Sequence, residues 1–192
     1  MDNVMLIKPS AEYADEICAL RKEFLDSKTR LSGSSSLERF ENPHEWIDYC
    51  RSYENRATLP TPESVEADEF MLVRQKDNKV LGLINFRRYL NSFLEEFGGH
   101  IGYCVRPSEQ CKGYAKKMLA LCLEKCREYG LEKVLVTCRA DNEASRRTIL
   151  GAGGVYERTT WLESEKSGMQ RYWISLNPLK DYYNSHNEDG RL

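Results

Sequence analysis

One run of the chain, from Gly102 to Leu119, combines residue types that could bind a phosphate group. An apolar, strand-like segment ends at Pro107, a polar turn follows, and an amphipathic helix begins directly after Gly113. The backbone N–H groups in the first turn of a helix have no partners within the helix, and the helix dipole favours negative charge there. Glycine lets the backbone approach a ligand closely, and Lys112 adds positive charge. The run therefore predicts a site for a phosphate-bearing ligand.

Hydrophobic periodicity predicts the elements that must position this turn. After Gly113, apolar residues recur at spacings of three and four, which indicates a helix with one buried face that ends at Gly130. The residues of that face are Ala115, Met118, Leu119, Cys122, Cys126 and Tyr129. Before the turn, Ile101, Tyr103 and Val105 alternate with Gly102 and Cys104, as in a strand. The turn is therefore expected to lie between a strand and a helix.

Length, charge and hydropathy limit the class of protein. With 192 residues the chain has the size of one domain, which we expect over residues 1–180, followed by a polar tail at 181–192. A formal charge of −2 and a pI near 6.0 give no bulk attraction to nucleic acid or to an anionic membrane. No segment reaches the roughly 20 apolar residues of a membrane span, and no leader pattern is present, so we expect a cytoplasmic protein.

The seven cysteines include no Cys-x-x-Cys motif, which predicts reduced and mostly buried thiols, Cys18 among them. Cys122 and Cys126 share a helix face and could supply half of a metal site. Tetrahedral zinc needs four ligands, however, and the usual paired spacings are missing, so core packing is favoured and no metal is expected. Cys111 lies in the turn, where it is either a reactive thiol or a residue whose backbone binds the ligand.

The rest of the chain has the pattern of alternating helices and strands. Strands are predicted at 4–8, 70–74, 80–90, 98–105, 134–137, 155–161 and 170–176. Further helices are predicted from Ser10 to about Leu25, from Pro43 to about Arg51 or Tyr53, and from Asn142 to Gly151. A polar, mobile loop is predicted over residues 27–36, and the last two strands are expected to pair antiparallel.

Two motifs in sequence order resemble those of the GNAT superfamily of N-acetyltransferases. Val105-Arg106-Pro107 with Gln110-Cys111-Lys112-Gly113-Tyr114-Ala115 is similar to the superfamily's acetyl-CoA motif, Gln/Arg-x-x-Gly-x-Gly/Ala, which follows a strand and opens a helix. The stretch from Thr137 to Ser145, followed by the glycines at 151, 153 and 154, is similar to the superfamily's strand and Asn-x-x-Ser helix. Gly-Gly-His-Ile-Gly-Tyr at 98–103 further resembles an uncharacterised bacterial branch of predicted acetyltransferases.

This resemblance implies an α+β (mixed α/β) single domain. Its central, mostly antiparallel mixed sheet would have about six to seven strands, splayed between the central strand 99–105 and strand 134–138, with about four flanking helices. The resemblance also implies acetyl-CoA as the acetyl donor, with the pyrophosphate on the turn and the pantetheine arm along the strand edge. The residues that it places on the cofactor are Cys104, Val105, Arg106, Gln110, Cys111, Lys112, Gly113, Tyr114, Ala115, Asn142 and Ser145.

Asn142 and Ser145 also have a plainer interpretation, as the N-cap and a first-turn residue of a helix. The first motif favours the cofactor interpretation, because both helix starts would then flank one ligand. Gly-x-Gly-x-x-Gly and Gly-x-x-x-x-Gly-Lys-Ser/Thr are both absent from the sequence, which excludes the dinucleotide-binding and P-loop readings.

Acetyl transfer to an amine needs a group that takes the amine's proton and a proton for the leaving thiolate. His100 is the first candidate base, because imidazole titrates near neutrality and this residue precedes the motif strand. Glu96, with Glu95 beside it, is the alternative. A core histidine and solvated loop carboxylates are the plainer interpretations. Many members of the superfamily carry a tyrosine seven residues after the motif asparagine, which serves as the general acid, but this chain has Ile149 there. Tyr156, Tyr172, another residue, water and the amine itself stay open as the proton donor to the thiolate, so no acid is assigned.

We therefore expect an N-acetyltransferase that transfers acetyl directly from acetyl-CoA to a primary amine in a ternary complex. The acceptor would be a small molecule, a peptide terminus or a lysine, and a homodimer is compatible with the sequence. A non-catalytic acyl-CoA sensor stays open because the base and the acid are unproven. A nucleic-acid-binding module using the arginines at 87–88 and 146–147 is disfavoured by the net charge. The loop 27–36, the helix with Trp46 and the stretch 91–97 are expected to flank the acceptor.

Overall fold

The computed structural model describes residues 2–177, which form one sheet with helices on both faces. Over this range the seven strands are β1 (Val4–Ile7), β2 (Ala67–Arg74), β3 (Lys79–Arg87), β4 (Ile101–Val105), β5 (Lys133–Arg139), β6 (Val155–Leu162) and β7 (Ser167–Ser175). The four α-helices of the same range are α1 (Ala14–Ser27), α2 (Pro43–Ser52), α3 (Tyr114–Glu128) and α4 (Glu143–Gly151).

The strand order across the sheet is β1-β2-β3-β4-β5-β7-β6. Neighbouring strands pair antiparallel except for β4 and β5, which run parallel. This parallel pair is joined at a single register position, Ile101 opposite Val136, and the two strands then separate. The structure therefore confirms the predicted mixed α/β fold and its splay between strands 99–105 and 134–138.

Each face of the sheet packs against its own helices. On one face, α3 and α4 bury apolar side chains such as Met118 and Ile149 against the sheet. On the other, α1 and α2 bury side chains such as Leu20 and Trp46. Cys104 of β4 belongs to this second cluster, so helices cover both faces of β4. The predicted alternation of Ile101, Tyr103 and Val105 describes only the face under α3 and α4.

Several element boundaries differ from the sequence prediction by a few residues, and two of these differences change the starts of β4 and α1. The strand predicted from residue 98 begins at Ile101, because Leu94–Gly98 forms a π-helical turn and Gly99 follows with a φ of 66°. The helix predicted from Ser10 opens with the short 3-10 turn Ala11–Tyr13, and the Ser10 side chain does not cap it. Both differences arise at chain reversals, where local hydrophobic patterns give little information.

All seven cysteines are free thiols; five of them are buried, whereas Cys18 and Cys111 are exposed. The prediction of a buried Cys18 is therefore wrong, because this residue lies on the solvent side of α1. The predicted tail at 181–192 lies outside the described residues. Within residues 2–177, we find no helix with the length and apolar character needed to cross a membrane.

Candidate active site

The separation of β4 from β5 leaves one edge of β4 without a neighbouring strand. The Arg106 N–H donates to the Leu81 carbonyl of β3 at 2.8 Å. Backbone groups along an antiparallel strand alternate in direction, so Cys104, like Arg106, directs its N–H and C=O toward β3. Tyr103 and Val105 direct theirs into the gap. This edge can therefore pair with an amide-bearing ligand.

The turn before α3 brings free backbone donors to the same gap. Gly113 is the N-cap of α3 with a φ of 84°, and no side chain caps the first turn. Cys111 is also left-handed, with a φ of 61°. A Cβ added to Gly113 would meet no atom within 4 Å. Gln110 Nε2 donates to the Val105 carbonyl at 3.2 Å and so ties the turn to β4.

The start of α4 lies on the opposite side of the gap. Asn142 is its N-cap, and Asn142 Oδ1 accepts a hydrogen bond from the Ser145 N–H at 3.1 Å. Ser145 Oγ lies 2.9 Å from the Tyr103 hydroxyl, which connects α4 to β4. Burial raises the pKa of Tyr103 to about 12, so this hydroxyl stays protonated. Asn142 and Ser145 thus have the helix-start roles of the plainer interpretation and also face the gap.

These elements enclose an open cleft of about 1400 Å³. Nine of the eleven residues predicted to bind the cofactor line it: Cys104, Val105, Gln110, Cys111, Gly113, Tyr114, Ala115, Asn142 and Ser145. Lys116, on the first turn of α3, is also part of the wall. The structure therefore brings the two motifs, about 30 residues apart in sequence, to one cleft.

Arg106 and Lys112, the other two predicted cofactor residues, do not line the cleft. The Arg106 guanidinium is buried and donates to Glu16 at 2.8 Å and to Glu23 at 2.7 Å. Lys112 Nζ lies 3.0 Å from Glu109 Oε2. Both side chains are held in ion pairs, and neither is part of the cleft wall.

His100, the first candidate base, does not line the cleft either. It is 7% exposed, and its Nδ1 accepts a hydrogen bond from the Leu135 N–H at 2.9 Å. Burial lowers the pKa of His100 to about 4. The imidazole is therefore a neutral acceptor that joins β4 to β5, as in the plainer interpretation of a core histidine.

Glu96, the alternative base, lies in the π-helical turn and is absent from the cleft wall. It accepts hydrogen bonds from Thr160 at 2.6 Å and from Arg158 at 2.7 Å. These two bonds hold the pKa of Glu96 below its usual range. Glu96 is thus an ion-paired carboxylate that connects the turn to β6, and the structure brings neither predicted base to the cleft.

Comparison with known proteins assigns this geometry to a family. Residues 32–151, more than half of the chain, match the sequence profile described as "Acetyltransferase (GNAT) family". The chain belongs to the GNAT acetyltransferase family. As a member of this family it is an acyltransferase. No curated protein matches the sequence.

Solved structures of other GNAT proteins share the fold at low sequence identity. RimJ of Mycobacterium smegmatis, solved with a CoA disulfide, has 18% identity and a TM-score of 0.68 over 92% of this chain and 83% of its own. A spermidine N-acetyltransferase from Vibrio cholerae has 13% identity and a TM-score of 0.61 over 91% and 94%. A Salmonella typhimurium enzyme that modifies the N-terminal serine of a 50S ribosomal protein has 15% identity and a TM-score of 0.63 over 90% and 94%.

The loop between α1 and α2 forms another wall of the cleft, and the sequence predicted little about its contacts. Gly33 has a φ of 63° and lies on the peptide between Gly102 and Tyr103, where a Cβ would overlap backbone atoms. Trp46, expected beside the acceptor, is fully buried instead, and its Nε1 donates to the Ser34 carbonyl at 2.9 Å. Trp46 therefore holds the loop in place from within the core. The serine-rich composition predicted the loop but not this contact with β4.

The same loop is joined to the connection between β6 and β7 across the cleft. The Arg30 guanidinium makes a two-bond ion pair with Glu165, and the Arg139 guanidinium lies 3.6 Å from the same carboxylate. Tyr49 of α2 and Tyr53, the C-cap of that helix, also line the cleft, with their hydroxyl oxygens 2.8 Å apart. Charged and aromatic side chains therefore form this part of the cleft wall.

Proposed function

We propose that the chain is an acetyl-CoA-dependent N-acetyltransferase that acetylates a primary amine. The observation that carries the proposal is the meeting of two backbone features in one cleft. The open edge of β4 at Tyr103 and Val105 can pair with an amide-bearing arm, and the uncapped start of α3 at Gly113 can bind a pyrophosphate. Acetyl-CoA carries both groups, with its acetyl thioester at the far end of the arm.

The residues at the α3 turn fit the pyrophosphate of this donor. The first-turn N–H groups lack a side-chain cap, and the space beside Gly113 would be reduced by any side chain at that position. Lys116 adds a positive charge to the wall. Several backbone donors on one concave turn form an anion site without the need for a dedicated basic side chain.

The residues along β4 fit the pantetheine arm. The N–H groups of Tyr103 and Val105 and the Tyr103 carbonyl face the gap, while the Val105 carbonyl already accepts from Gln110. Asn142 Oδ1 is used for capping, so its amide N–H₂ is the part of the side chain that can reach the arm. One of the β4 N–H groups would donate to the thioester oxygen as negative charge develops on it.

Transfer would be direct, within a ternary complex of both substrates. The amine nitrogen forms a bond to the thioester carbon, the carbon–sulfur bond breaks, and the thiolate leaves. His100 and Glu96 stay predictions for the base, and neither lies on the cleft wall. A small molecule, a peptide terminus or a lysine could supply the amine. Among the side chains of the cleft wall, the Glu38 carboxylate and the Tyr49 and Tyr53 rings would suit a cationic acceptor, and the wall also carries arginines such as Arg30 and Arg139.

A non-catalytic acyl-CoA sensor is the second candidate. Ile149 is fully buried in the core. Many superfamily members have a tyrosine that serves as the general acid at this position. The chain thus offers no proton donor from that position of α4. A sensor would bind acetyl-CoA through the same backbone groups and release no CoA.

The test is to measure CoA release from acetyl-CoA over a panel of amines, anionic and apolar ones included, with acetyl-CoA affinity measured separately by calorimetry. Amine-dependent release supports the transferase, and preference for cationic amines supports the acceptor class. Tight binding with no release on any amine would favour the sensor. Failure to bind acetyl-CoA would overturn both.

A further inference from the structure

Glu69 is a carboxyl group buried beside the cleft. It lies on β2 directly opposite Asn85 of β3, and Asn85 is opposite Gly102 of β4, so the three residues form a row across the sheet. Glu69 is 2% exposed and Asn85 is 6% exposed. The next row on this face holds Met71 and the apolar core under α1 and α2. The row is therefore a polar interruption at the cleft end of that core.

The loop over this row supplies the contact between Glu69 and the cleft. Ser35 Oγ donates to Glu69 Oε2 at 2.6 Å, and Asn85 Nδ2 donates to the same oxygen at 3.0 Å. Ser35 and Asn85 both line the cleft, whereas Glu69 lies behind them. Among residues 2–177, Glu69 Oε1 has no hydrogen-bond partner. A buried carboxyl group with one unpaired oxygen is costly to retain, so a role in packing alone does not account for it.

The groups that surround Glu69 leave its charge poorly compensated. Arg87 of β3 is nearby, but its Nη1 donates to the carbonyls of Gly98 and Gly99, each at 3.1 Å. The other titratable groups that interact with the carboxyl group are Lys8 after β1, Cys50 of α2, Cys104 of β4 and Cys122 of α3. Burial raises the pKa of Glu69 to about 8, although the hydrogen bonds from Ser35 and Asn85 oppose the rise.

Ser35 lies close to the part of β4 where the acetyl group would be bound. Gly33, two residues before it, lies against the peptide between Gly102 and Tyr103, and the Tyr103 N–H faces the gap. The Ser35 hydroxyl is consequently on the loop side of the thioester position, where an acceptor amine would approach. The Ser35 hydroxyl is hydrogen-bonded to the buried Glu69 carboxyl group.

We propose that Glu69 takes the proton of the acceptor ammonium through the hydroxyl of Ser35. One ammonium proton moves to Ser35 Oγ while the Ser35 hydroxyl proton moves to Glu69 Oε2. The neutral nitrogen then bonds to the thioester carbon, the carbon–sulfur bond breaks, and a second nitrogen proton ends on the CoA sulfur. Glu69 returns its proton to solvent after the products leave. This relay rests on the proposed function and adds to it the residues that move the proton.

The pH dependence has a definite sign. Glu69 accepts a proton only as the carboxylate, so kcat should rise as the pH increases through the Glu69 pKa, near 8. With Glu69→Gln the amine must be bound already deprotonated, and that fraction grows toward the amine's own pKa, about 10 for an alkylamine. The difference in kcat between the wild type and Glu69→Gln should therefore shrink at high pH. A packing role for Glu69 would not produce this convergence.

The experiment measures kcat against pH for the wild type, Glu69→Gln and Ser35→Ala with an alkylamine that the wild type acetylates. At pH 7.5 both variants should lose about 100-fold or more in kcat, with acetyl-CoA affinity within a few-fold of the wild type. Glu66→Gln, directly before β2, and Ser10→Ala, before α1, are matched controls, because neither residue lines the cleft, and both should keep the wild-type profile. Thermal unfolding of each variant confirms that it is folded.

The outcomes distinguish failure of the proton relay from failure of the proposed acetyltransferase function. An unchanged pH profile and kcat in Glu69→Gln would overturn the relay and leave the transferase in place. Equal losses at every pH would assign Glu69 a structural role and would also overturn the relay. Absence of turnover by the wild type on every amine would overturn the proposed function and the relay with it.

Discussion

Replacing Gly113 by aspartate should weaken acetyl-CoA binding about 30-fold and leave the protein folded. A Cβ at this position meets no atom within 4 Å, so the substitution introduces no clash. The φ of 84° costs a non-glycine residue roughly 1–2 kcal/mol. A negative charge in the first turn of α3 recovers about 0.5 kcal/mol through the helix dipole. The folded state therefore loses about 1 kcal/mol of stability, which most domains tolerate.

The loss of affinity follows from charge repulsion at the same turn. A carboxylate about 6 Å from one pyrophosphate charge costs about 3 kcal/mol at an effective dielectric constant of 20, and about 0.7 kcal/mol in water. The turn is open to solvent on one side, so we expect about 2 kcal/mol, which corresponds to roughly 30-fold in Kd. High salt should reduce the effect, because exposed charges are screened.

Gly130 provides the matched control at the other end of α3. It has a φ of 100° and no atom within 4 Å of an added Cβ, so Gly130→Asp introduces the same strain and charge away from the cleft. Calorimetry with acetyl-CoA measures Kd for both variants, and urea unfolding measures stability. We expect Gly130→Asp to lose about 1 kcal/mol more stability than Gly113→Asp, because the helix dipole disfavours a negative charge at the C-terminal end of α3. Binding should be weakened only in Gly113→Asp. Equal Kd values would refute the pyrophosphate site at this turn.

Three further predictions concern the loop and the sheet. Gly33→Ala should lower the free energy of unfolding by about 2–4 kcal/mol and impair turnover, because its Cβ would overlap the Gly102 carbonyl. Urea unfolding measures the stability, and CoA release measures the turnover. Wild-type stability and turnover in Gly33→Ala would contradict this contact. Burial lowers the pKa of His100 from 6.5 to about 4, so the unfolded state binds this proton first as the pH falls; stability should fall by about 2 kcal/mol between pH 7 and pH 5. His100→Gln should reduce that loss in urea unfolding, and it should retain turnover at pH 8. Arg30→Ala breaks the partly exposed ion pair with Glu165, so it should change stability by less than about 1 kcal/mol. It should raise the KM of the amine more than the KM of acetyl-CoA. An unchanged amine KM would show that this ion pair is not part of the acceptor site.

The donor side of the cleft was predictable because its signals are local. Pro107 and Gly113 mark the two ends of the turn, and the spacing of apolar residues after it predicts α3. Its chemistry depends on backbone N–H groups, which every sequence supplies once the turn conformation is fixed. Lys112 shows the limit of this reasoning, because its charge suggested a ligand contact and Glu109 binds it instead.

The candidate bases could not be placed from sequence because long-range pairing decides their surroundings. The imidazole of His100 accepts from Leu135, 35 residues later in the chain. The carboxylate of Glu96 accepts from Thr160, 64 residues later. A titratable side chain in a strand or turn has many accessible roles, and its partner on the neighbouring element selects one of them.

Glu69 carries a signal that sequence reasoning could have used. It precedes Met71 and Val73 with a period of two, and those two residues point into the core under α1 and α2. A carboxylate in the inward phase of an otherwise apolar strand is expensive, so it predicts either a buried partner or a functional site. The phase alone does not identify that partner. Ser35 comes from a loop 34 residues earlier, and only the packing of Gly33 on β4 brings its hydroxyl to the carboxyl group.

The two sides of the cleft therefore differ in how tightly the sequence specifies them. On the donor side, the backbone of one turn and one strand edge can bind the same nucleotide thioester whatever the neighbouring side chains are. On the acceptor side, the wall consists of side chains from the α1–α2 loop, β3, α2 and the β6–β7 connection, such as Ser35, Asn85, Tyr49 and Glu165. Substitutions there can change the amine without disturbing the donor. The acceptor should thus be sought by varying the amine against a fixed acetyl-CoA concentration, with the Ser35 and Arg30 variants reporting on two positions of that wall.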